Sequence, residues 1–284
     1  MSTDAEVVGP FRRFRRSVMR SVLTRVATVY IAGDDVKDAR RVADTWARRG
    51  IPATFGFWDD SRDTPRDVAN QYLLGLHELR PEEYLSIKLT ALDYSEALLE
   101  ELAEGAAKRH IRLHFDAMYP DSADLTRERV TAFAARWGSK FPIGVTLPGR
   151  WPRSLRDAAW AGELRLPVRV VKGQFPAQPA VDPVEGFDRL IEALAGKAAH
   201  VAVATHDPKL GARSLRRLAE KGTSRELELL HGLPMRKSLR AAEVLGEKVR
   251  VYVGYGRANL PYAVSSVMEN PKQILWLARD LLHL

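Results

Sequence analysis

Apolar positions along this chain fall into two alternating rhythms. Short runs rich in β-branched and aromatic residues, bounded by polar punctuation, occur at 52–58, 84–89, 111–116, 141–147, 168–171, 200–204, 226–230 and 249–253. They predict strands. Between and after them, segments with the helical apolar spacing occur at 64–79, 95–109, 125–137, 155–161, 184–195, 208–221, 234–245 and 260–268. Asp182-Pro183 and Asp207-Pro208 reinforce two helix starts, because a capping carboxylate precedes a proline suited to the first turn. Residues 10–25 set Phe11, Phe14, Val18, Val22 and Leu23 against Arg12, Arg13, Arg15, Arg16 and Arg20, a basic amphipathic helix. Residues 271–284 predict a last helix built on Ile274, Leu275, Leu277, Leu281 and Leu282.

Strands that alternate with helices run parallel, and eight such units close most readily into an α/β barrel of the (β/α)8, TIM type. The 284 residues suit one barrel domain spanning 1–284, with 1–26 as a helical extension. An open doubly wound sheet is the competing architecture. It is disfavoured because no strand is followed by the G-x-G-x-x-G turn of dinucleotide-binding sheets.

Composition narrows the chemistry. The chain has no cysteine, which excludes disulfides, thiolate metal sites and a cysteine nucleophile and agrees with a cytoplasmic setting. No apolar run reaches the roughly 18 residues of a spanning helix, and the opening residues, with two acids by Val8, do not read as a signal peptide. The formal charge of +8 admits nucleic acid, anionic lipid or an anionic cofactor. Most arginines sit in helices beside Ala and Leu, as on a solvated outer face, and no recognition-helix or aromatic RNA-binding signature accompanies them, so nucleic acid is not an expected partner. The helix at 10–25 either docks on its own domain or makes a peripheral contact with the inner face of a membrane.

Barrel strands end at one mouth, which on this reading collects Asp60, Lys88, Asp116, Arg169, Lys172, Thr205, His206, His231, Tyr252 and Tyr255. The run Val168-Arg169-Val170-Val171-Lys172-Gly173 carries a cation and a permissive glycine to its end, which suits an anion, although a plain strand closing on a solvated lysine has the same appearance. At Ala204-Thr205-His206-Asp207-Pro208 a strand passes directly into a helix, whose first amides are expected to face the mouth and a phosphate. There is no G-x-S-x-G or H-E-x-x-H string, and His110 and His114 straddle a helix-to-strand transition, so no metal is expected. A phosphate-bearing cofactor with a polar heterocycle suits this inventory.

Several strings together resemble the proline dehydrogenase family, in that family's order and across nearly the whole chain. They are LSIKLTAL (85–92), HFDA (114–117), VRVVKGQF (168–175), ATHD (204–207), LHGLP (230–234), and VRVYVGYG followed by PYAVSSVMENP between 249 and 271. The resemblance implies a distorted (β/α)8 barrel with noncovalent FAD, oxidising proline to 1-pyrroline-5-carboxylate and passing electrons to a quinone or other acceptor. It implies that Arg169 donates toward the flavin N5, and that Lys172, Gly173, Thr205 and His206 hold the ribityl and pyrophosphate portion. Asp116 and Lys88 would line the ring, and Glu269 would meet the adenosine end. Tyr252 and Tyr262 complete the candidate catalytic set with Arg169, Lys88 and Asp116.

The family's Y-x-x-R-R-L-x-E-N pattern, whose arginines hold the substrate carboxylate, reads here from Tyr262 to Asn270 with Ser265 and Ser266 at both arginine positions. At roughly 1.5–3 kcal/mol per charged hydrogen bond, losing both weakens an amino-acid substrate by about three decades or more. The acid that partners those arginines falls at Asp60, a flavin-contacting glutamine falls at Pro148, and the common Ala-Tyr after VKG is Gln174-Phe175. These departures cluster on the substrate side. Three outcomes follow: a proline oxidase, a family member with a changed amine substrate lacking a carboxylate, or a non-catalytic barrel that retains a phosphate-ligand pocket.

Overall fold

The computed structural model describes residues 31–257. The expected helices at 10–25, 260–268 and 271–284, together with Tyr262, Ser265, Ser266 and Glu269, lie outside the described residues. Within them the chain forms α1 (Val36–Ala47), β1 (Ala53–Phe57), α2 (Pro65–Glu78), β2 (Tyr84–Ile87), α3 (Glu96–Arg109), β3 (Arg112–Phe115), α4 (Ala123–Trp137) and β4 (Ile143–Pro148). It continues through α5 (Ser154–Glu163), β5 (Val168–Val171), α6 (Pro183–Leu194), β6 (Val201–Ala204), α7 (Pro208–Glu220), β7 (Arg225–Leu230), α8 (Arg236–Leu245) and β8 (Val249–Tyr255). All neighbouring strands are parallel, and β8 pairs with β1 from Ala53↔Val251 to Phe57↔Tyr255, which closes the barrel. The expected fold class is therefore the observed one.

Every predicted strand is present within two residues of its expected bounds. The periodic reading has no counterpart of α1. That helix packs with Val36, Ala39 and Ala43, small side chains that leave a faint hydrophobic trace, and its start is fixed by a capping box between Asp35 and Asp38. Thr64 with Asp67 does the same for α2, with Pro65 in the first turn.

Side chains alternate across each strand, so one set meets the helices and the other fills the lumen. The outward set is apolar: Phe55, Leu85, Ile87, Leu113, Phe115, Val145, Val168, Val170, Val203, Leu227, Leu229 and Val251 are all buried against the helices. Each such side chain stabilises the fold by about 1.5–3 kcal/mol. The inward set is polar and paired. Near the N-terminal end, Arg250 donates to Glu226 Oε1 at 2.8 Å and to the Glu82 carbonyl at 2.9 Å, and its guanidinium lies 4.4 Å over the Tyr84 ring.

Glycine makes room where the lumen is crowded. A Cβ on Gly56 would lie 1.9 Å from the Tyr252 hydroxyl, so the tyrosine ring crosses the lumen only because β1 carries no side chain there. On the outer surface, ion pairs such as Arg66–Glu101, Arg213–Asp188 and Arg217–Glu192 link neighbouring helices, so much of the arginine content serves helix-to-helix contact.

Candidate functional site

The strand ends open into a cavity of about 740 Å³ whose lining includes Trp58, Asp59, Lys88, Asp116, Arg169, Gly173, Thr205, His206, Glu228 and Tyr252. Its floor is the Arg169 guanidinium. Because Val168 and Val170 turn outward, Arg169 turns into the lumen, where it is only 4% exposed. Nε and Nη2 donate to the two oxygens of Glu228 at 2.7 and 3.0 Å, and Nη1 donates to Asp116 Oδ1 at 2.8 Å and Ser86 Oγ at 3.0 Å. Burial alone would favour loss of the guanidinium proton, but Glu228, Tyr84 and Asp116 outweigh it and hold the charge more firmly than in water.

Glu228 is saturated as well. Thr54 donates to Oε1 at 2.8 Å and the Tyr84 hydroxyl donates to Oε2 at 3.1 Å, so both oxygens accept twice. Burial, with Glu228 next to it, pushes the Tyr84 hydroxyl up to about 12. The Tyr252 hydroxyl is raised too, chiefly by burial and then by Asp116, so both phenols stay protonated donors at neutral pH. The Arg169 guanidinium lies 5.2 Å from the Tyr252 ring centroid and 5.7 Å from that of Tyr84, within cation–π range.

A second chain of contacts supports Asp116 from behind. Thr146 Oγ1 donates to Asp116 Oδ1 at 3.1 Å and meets His114 Nε2 at 3.1 Å. Because the threonine hydrogen points to the carboxylate, this network assigns the proton of His114 to Nε2. Its Nδ1 has no hydrogen-bond partner among the described residues. Burial, and then the charge of Arg169, lower the imidazole well below its ordinary range, so the ring is neutral. At the rim, Lys88 Nζ binds Asp59 Oδ1 at 2.7 Å, and the Lys88 amide donates to the buried Tyr72 hydroxyl at 3.0 Å.

Lys88, Asp116, Arg169 and Tyr252, from the expected catalytic set, all line the cavity, as do Gly173, Thr205 and His206 from the expected cofactor set. Lys172 is not among the lining residues. The remaining members of the expected mouth need correction. Asp60 is buried beside it, accepting from Arg62 Nε at 2.8 Å, and Asp59 is the acid that faces the cavity. Tyr255 lies on the opposite face of β8 from Tyr252, packed on Phe55 and Phe57 with its hydroxyl on the Gln71 carbonyl at 2.9 Å. His231 is half-buried behind the β7 end and does not reach the cavity.

The expected phosphate seat at the start of α7 also differs. Asp207 Oδ1 already accepts from the amides of Lys209 and Leu210, and Pro208 has no amide hydrogen, so the first turn is filled by the chain's own carboxylate. His206 has both ring nitrogens on backbone, Nε2 accepting from Leu230 N at 2.9 Å and Nδ1 facing the Pro234 carbonyl at 3.2 Å. It ties the β6 end to the loop after β7. Among the described residues no group of acids and histidines is arranged to hold a metal ion, and no helix is long and apolar enough to cross a membrane.

Sequence reasoning passed over Glu228, the residue on which the floor depends. The signal was the alternation Arg225-Glu226-Leu227-Glu228-Leu229, which puts two acids on one strand face; in a closed barrel with apolar helices outside, that face is the lumen.

No family model matches the chain. It is 25% identical over 289 residues to the proline dehydrogenase of Deinococcus radiodurans, covering 93% of this chain and 92% of that one. It is 26% identical over 281 residues to proline dehydrogenase 1 of Bacillus subtilis strain 168, with 89% of both covered. The chain is proline-dehydrogenase-like. Among solved structures, the proline-dehydrogenase-like barrel overlays proline utilization A from Bdellovibrio bacteriovorus inactivated by N-propargylglycine, with TM-score 0.75, 15% identity and 90% of this chain covered. Proline utilization A from Corynebacterium freiburgense gives TM-score 0.72, 16% identity and 94% of this chain. The chain spans 33% of each of those longer proteins, and at that identity the likeness concerns the fold.

Proposed function

We propose that this chain is an FAD-dependent dehydrogenase of the proline dehydrogenase type, taking hydride from the carbon next to the nitrogen of proline or a related amine. The observation that carries this reading is a buried guanidinium, Arg169, held by Glu228 and Asp116 at the floor of the cavity in the barrel mouth. Such a group, fixed in place before any ligand arrives, is the kind of preorganised donor that stabilises charge developing on a bound ring.

The residues present fit a flavin. The cavity volume of about 740 Å³ lies in the range of cofactor sites, and Trp58, Tyr252, Trp151 and Phe175 give it aromatic walls for a planar heterocycle. Gly173 sits at φ +96°, and a Cβ there would come within 2.7 Å of Pro148 Cβ, so the chain after β5 takes its path close to the cavity only as glycine. Gly173 and the Thr205 hydroxyl are the groups we assign to the ribityl and phosphate portion, with Lys172 supplying charge from alongside and Glu269 taken to meet the adenosine end. Bound flavin supplies the two-electron acceptor. In this reading Arg169 and Tyr252 supply donors, Lys88 and Asp59 shape the rim, and the Asp116 carboxylate receives the proton the amine gives up. A quinone or another acceptor would be the final oxidant in this reading.

The test is the absorbance spectrum of the purified protein with and without added FAD, followed by anaerobic titration with proline and a panel of amines. Retained flavin absorbance, bleached by at least one amine, is the expected result. A colourless protein whose melting temperature is unmoved by FAD refutes the proposal, and a yellow protein bleached by no amine favours the non-catalytic reading.

A further inference from the structure

The charges of the cavity select among amines. Its lining holds two cations, Lys88 and Arg169, against three carboxylates, Asp59, Asp116 and Glu228, among the described residues. Both cations are already committed. Arg169 is bound through Nε, Nη1 and Nη2 to Glu228 and Asp116, and Lys88 is bound to Asp59 at 2.7 Å. Each cation keeps an N–H beyond these bonds, but its charge is already offset, and with three carboxylates against two cations an entering carboxylate adds to an excess of negative charge. An ammonium meets the reverse situation. Asp59 and Asp116 each use one oxygen in the bonds above, and each has a second oxygen with no hydrogen-bond partner among the described residues. The aromatic walls add attraction for a cation, since the faces of Trp58 and Tyr252 carry negative quadrupole charge.

We infer that this cavity takes a small cationic amine without a carboxylate, a cyclic or chain ammonium, in preference to an amino acid. The chemistry of this inference rests on the flavin-dehydrogenase reading, whereas the selectivity rests on the cavity charges alone. In the reaction the substrate's carbon–hydrogen bond breaks and its electron pair leaves with the hydrogen as hydride to the flavin. The nitrogen gives one proton to a cavity carboxylate, and a carbon–nitrogen double bond forms, leaving an iminium cation.

The experiment uses three five-membered-ring probes on the FAD-loaded full-length protein, with binding read by isothermal titration and turnover by anaerobic flavin bleaching. Pyrrolidine carries the ammonium alone, cyclopentanecarboxylate the carboxylate alone, and proline both. Pyrrolidine is expected to bind at least tenfold more tightly than cyclopentanecarboxylate and to give a higher kcat/KM than proline. Asp59→Asn, which removes one negative charge and releases Lys88, narrows the binding ratio. Lys88→Met widens it, so one variant remains informative if the other fails to fold. Equal or tighter binding of cyclopentanecarboxylate, a higher kcat/KM for proline, or no binding of pyrrolidine at millimolar concentration overturns the inference. Protein that takes up no FAD refutes the flavin reading, and the same two titrations on the FAD-free chain still rank the ions.

Discussion

Glu228→Gln is the sharpest perturbation the floor of the cavity offers, because the change is isosteric and the partners are fully specified. Oε1 accepts from Thr54 at 2.8 Å and Arg169 Nη2 at 3.0 Å, and Oε2 accepts from Arg169 Nε at 2.7 Å and Tyr84 at 3.1 Å. All four partners are donors at neutral pH. A glutamine must place its amide nitrogen at one of these two positions, where it faces a guanidinium N–H that cannot accept and a hydroxyl that must turn round to accept. The bond to the guanidinium is lost, worth roughly 1.5–3 kcal/mol, whereas the hydroxyl bond is remade in the reverse direction. Arg169 also keeps a buried charge with only Asp116 to compensate it, and removing one partner of a buried pair typically costs about 3–5 kcal/mol. We expect a loss in that range, measured by urea unfolding with an unchanged slope. The control is Asp188→Asn, where Arg213 makes the same two-pronged contact at 2.9 and 2.7 Å on the surface. Exposed pairs are worth roughly 0–1 kcal/mol. If the two variants lose similar amounts, Glu228 is not a buried keystone of the barrel.

Gly56→Ala places a methyl 1.9 Å from the Tyr252 hydroxyl, and it is expected to displace that ring and weaken FAD uptake more than tenfold in a fluorescence titration; unchanged uptake would show that Tyr252 does not shape the site. Acid stability should fall in two steps. His114 is held neutral, so the stability it contributes is present above the imidazole's ordinary 6.5 and is lost as pH falls below it, because the unfolded chain takes up a proton that the buried ring refuses. For Glu226 burial is outweighed by His200 and Arg250, which hold its carboxyl at about 2 against an ordinary 4.5, so its contribution is present above 4.5 and is lost as pH falls toward 2. His114→Gln should flatten the first step and Glu226→Gln the second, in unfolding curves collected across that range. Finally, Ser265→Arg with Ser266→Arg restores the arginine pattern of the resembled family and should raise kcat/KM for proline at least a hundredfold; no gain would mean that the carboxylate is held elsewhere.

The strands were legible because each carries an apolar outward face, and the two helix starts at Asp182 and Asp207 were legible because capping is local chemistry. The misplacements share another origin. Tyr252 and Tyr255 are three residues apart on one strand, which in a period of two puts them on opposite faces, and grouping both at the mouth overlooked that parity. Asp59 and Asp60 lie beyond the end of β1, where no period operates, and the turn alone decides which acid enters the cavity. The strand-to-helix turn at the start of α7 has the sequence of an anion seat. The same aspartate that marked the helix start fills that seat, because a carboxylate strong enough to cap the helix competes with any phosphate for the same amides.

A barrel lumen is commonly packed with Val, Ile and Leu. This one is filled by Arg169, Glu228, Arg250, Glu226, Thr54, Tyr84 and His114. Charges so deeply placed are tolerated only in pairs, and each pair here is closed across strands: Arg169 of β5 on Glu228 of β7, Arg250 of β8 on Glu226 of β7. The pairing ties the floor of the cavity to the stability of the whole barrel. A change that freed Arg169 to hold a substrate carboxylate would leave the buried Glu228 carboxylate with only the hydroxyls of Thr54 and Tyr84 and no compensating charge, so ligand selectivity cannot be altered from the floor without unfolding cost. The rim is under no such constraint: Lys88 and Asp59 stand in a single pair at the solvent edge, at 16% and 31% side-chain exposure. Selectivity between ammonium and carboxylate should therefore vary through the rim while Arg169 and Glu228 stay fixed.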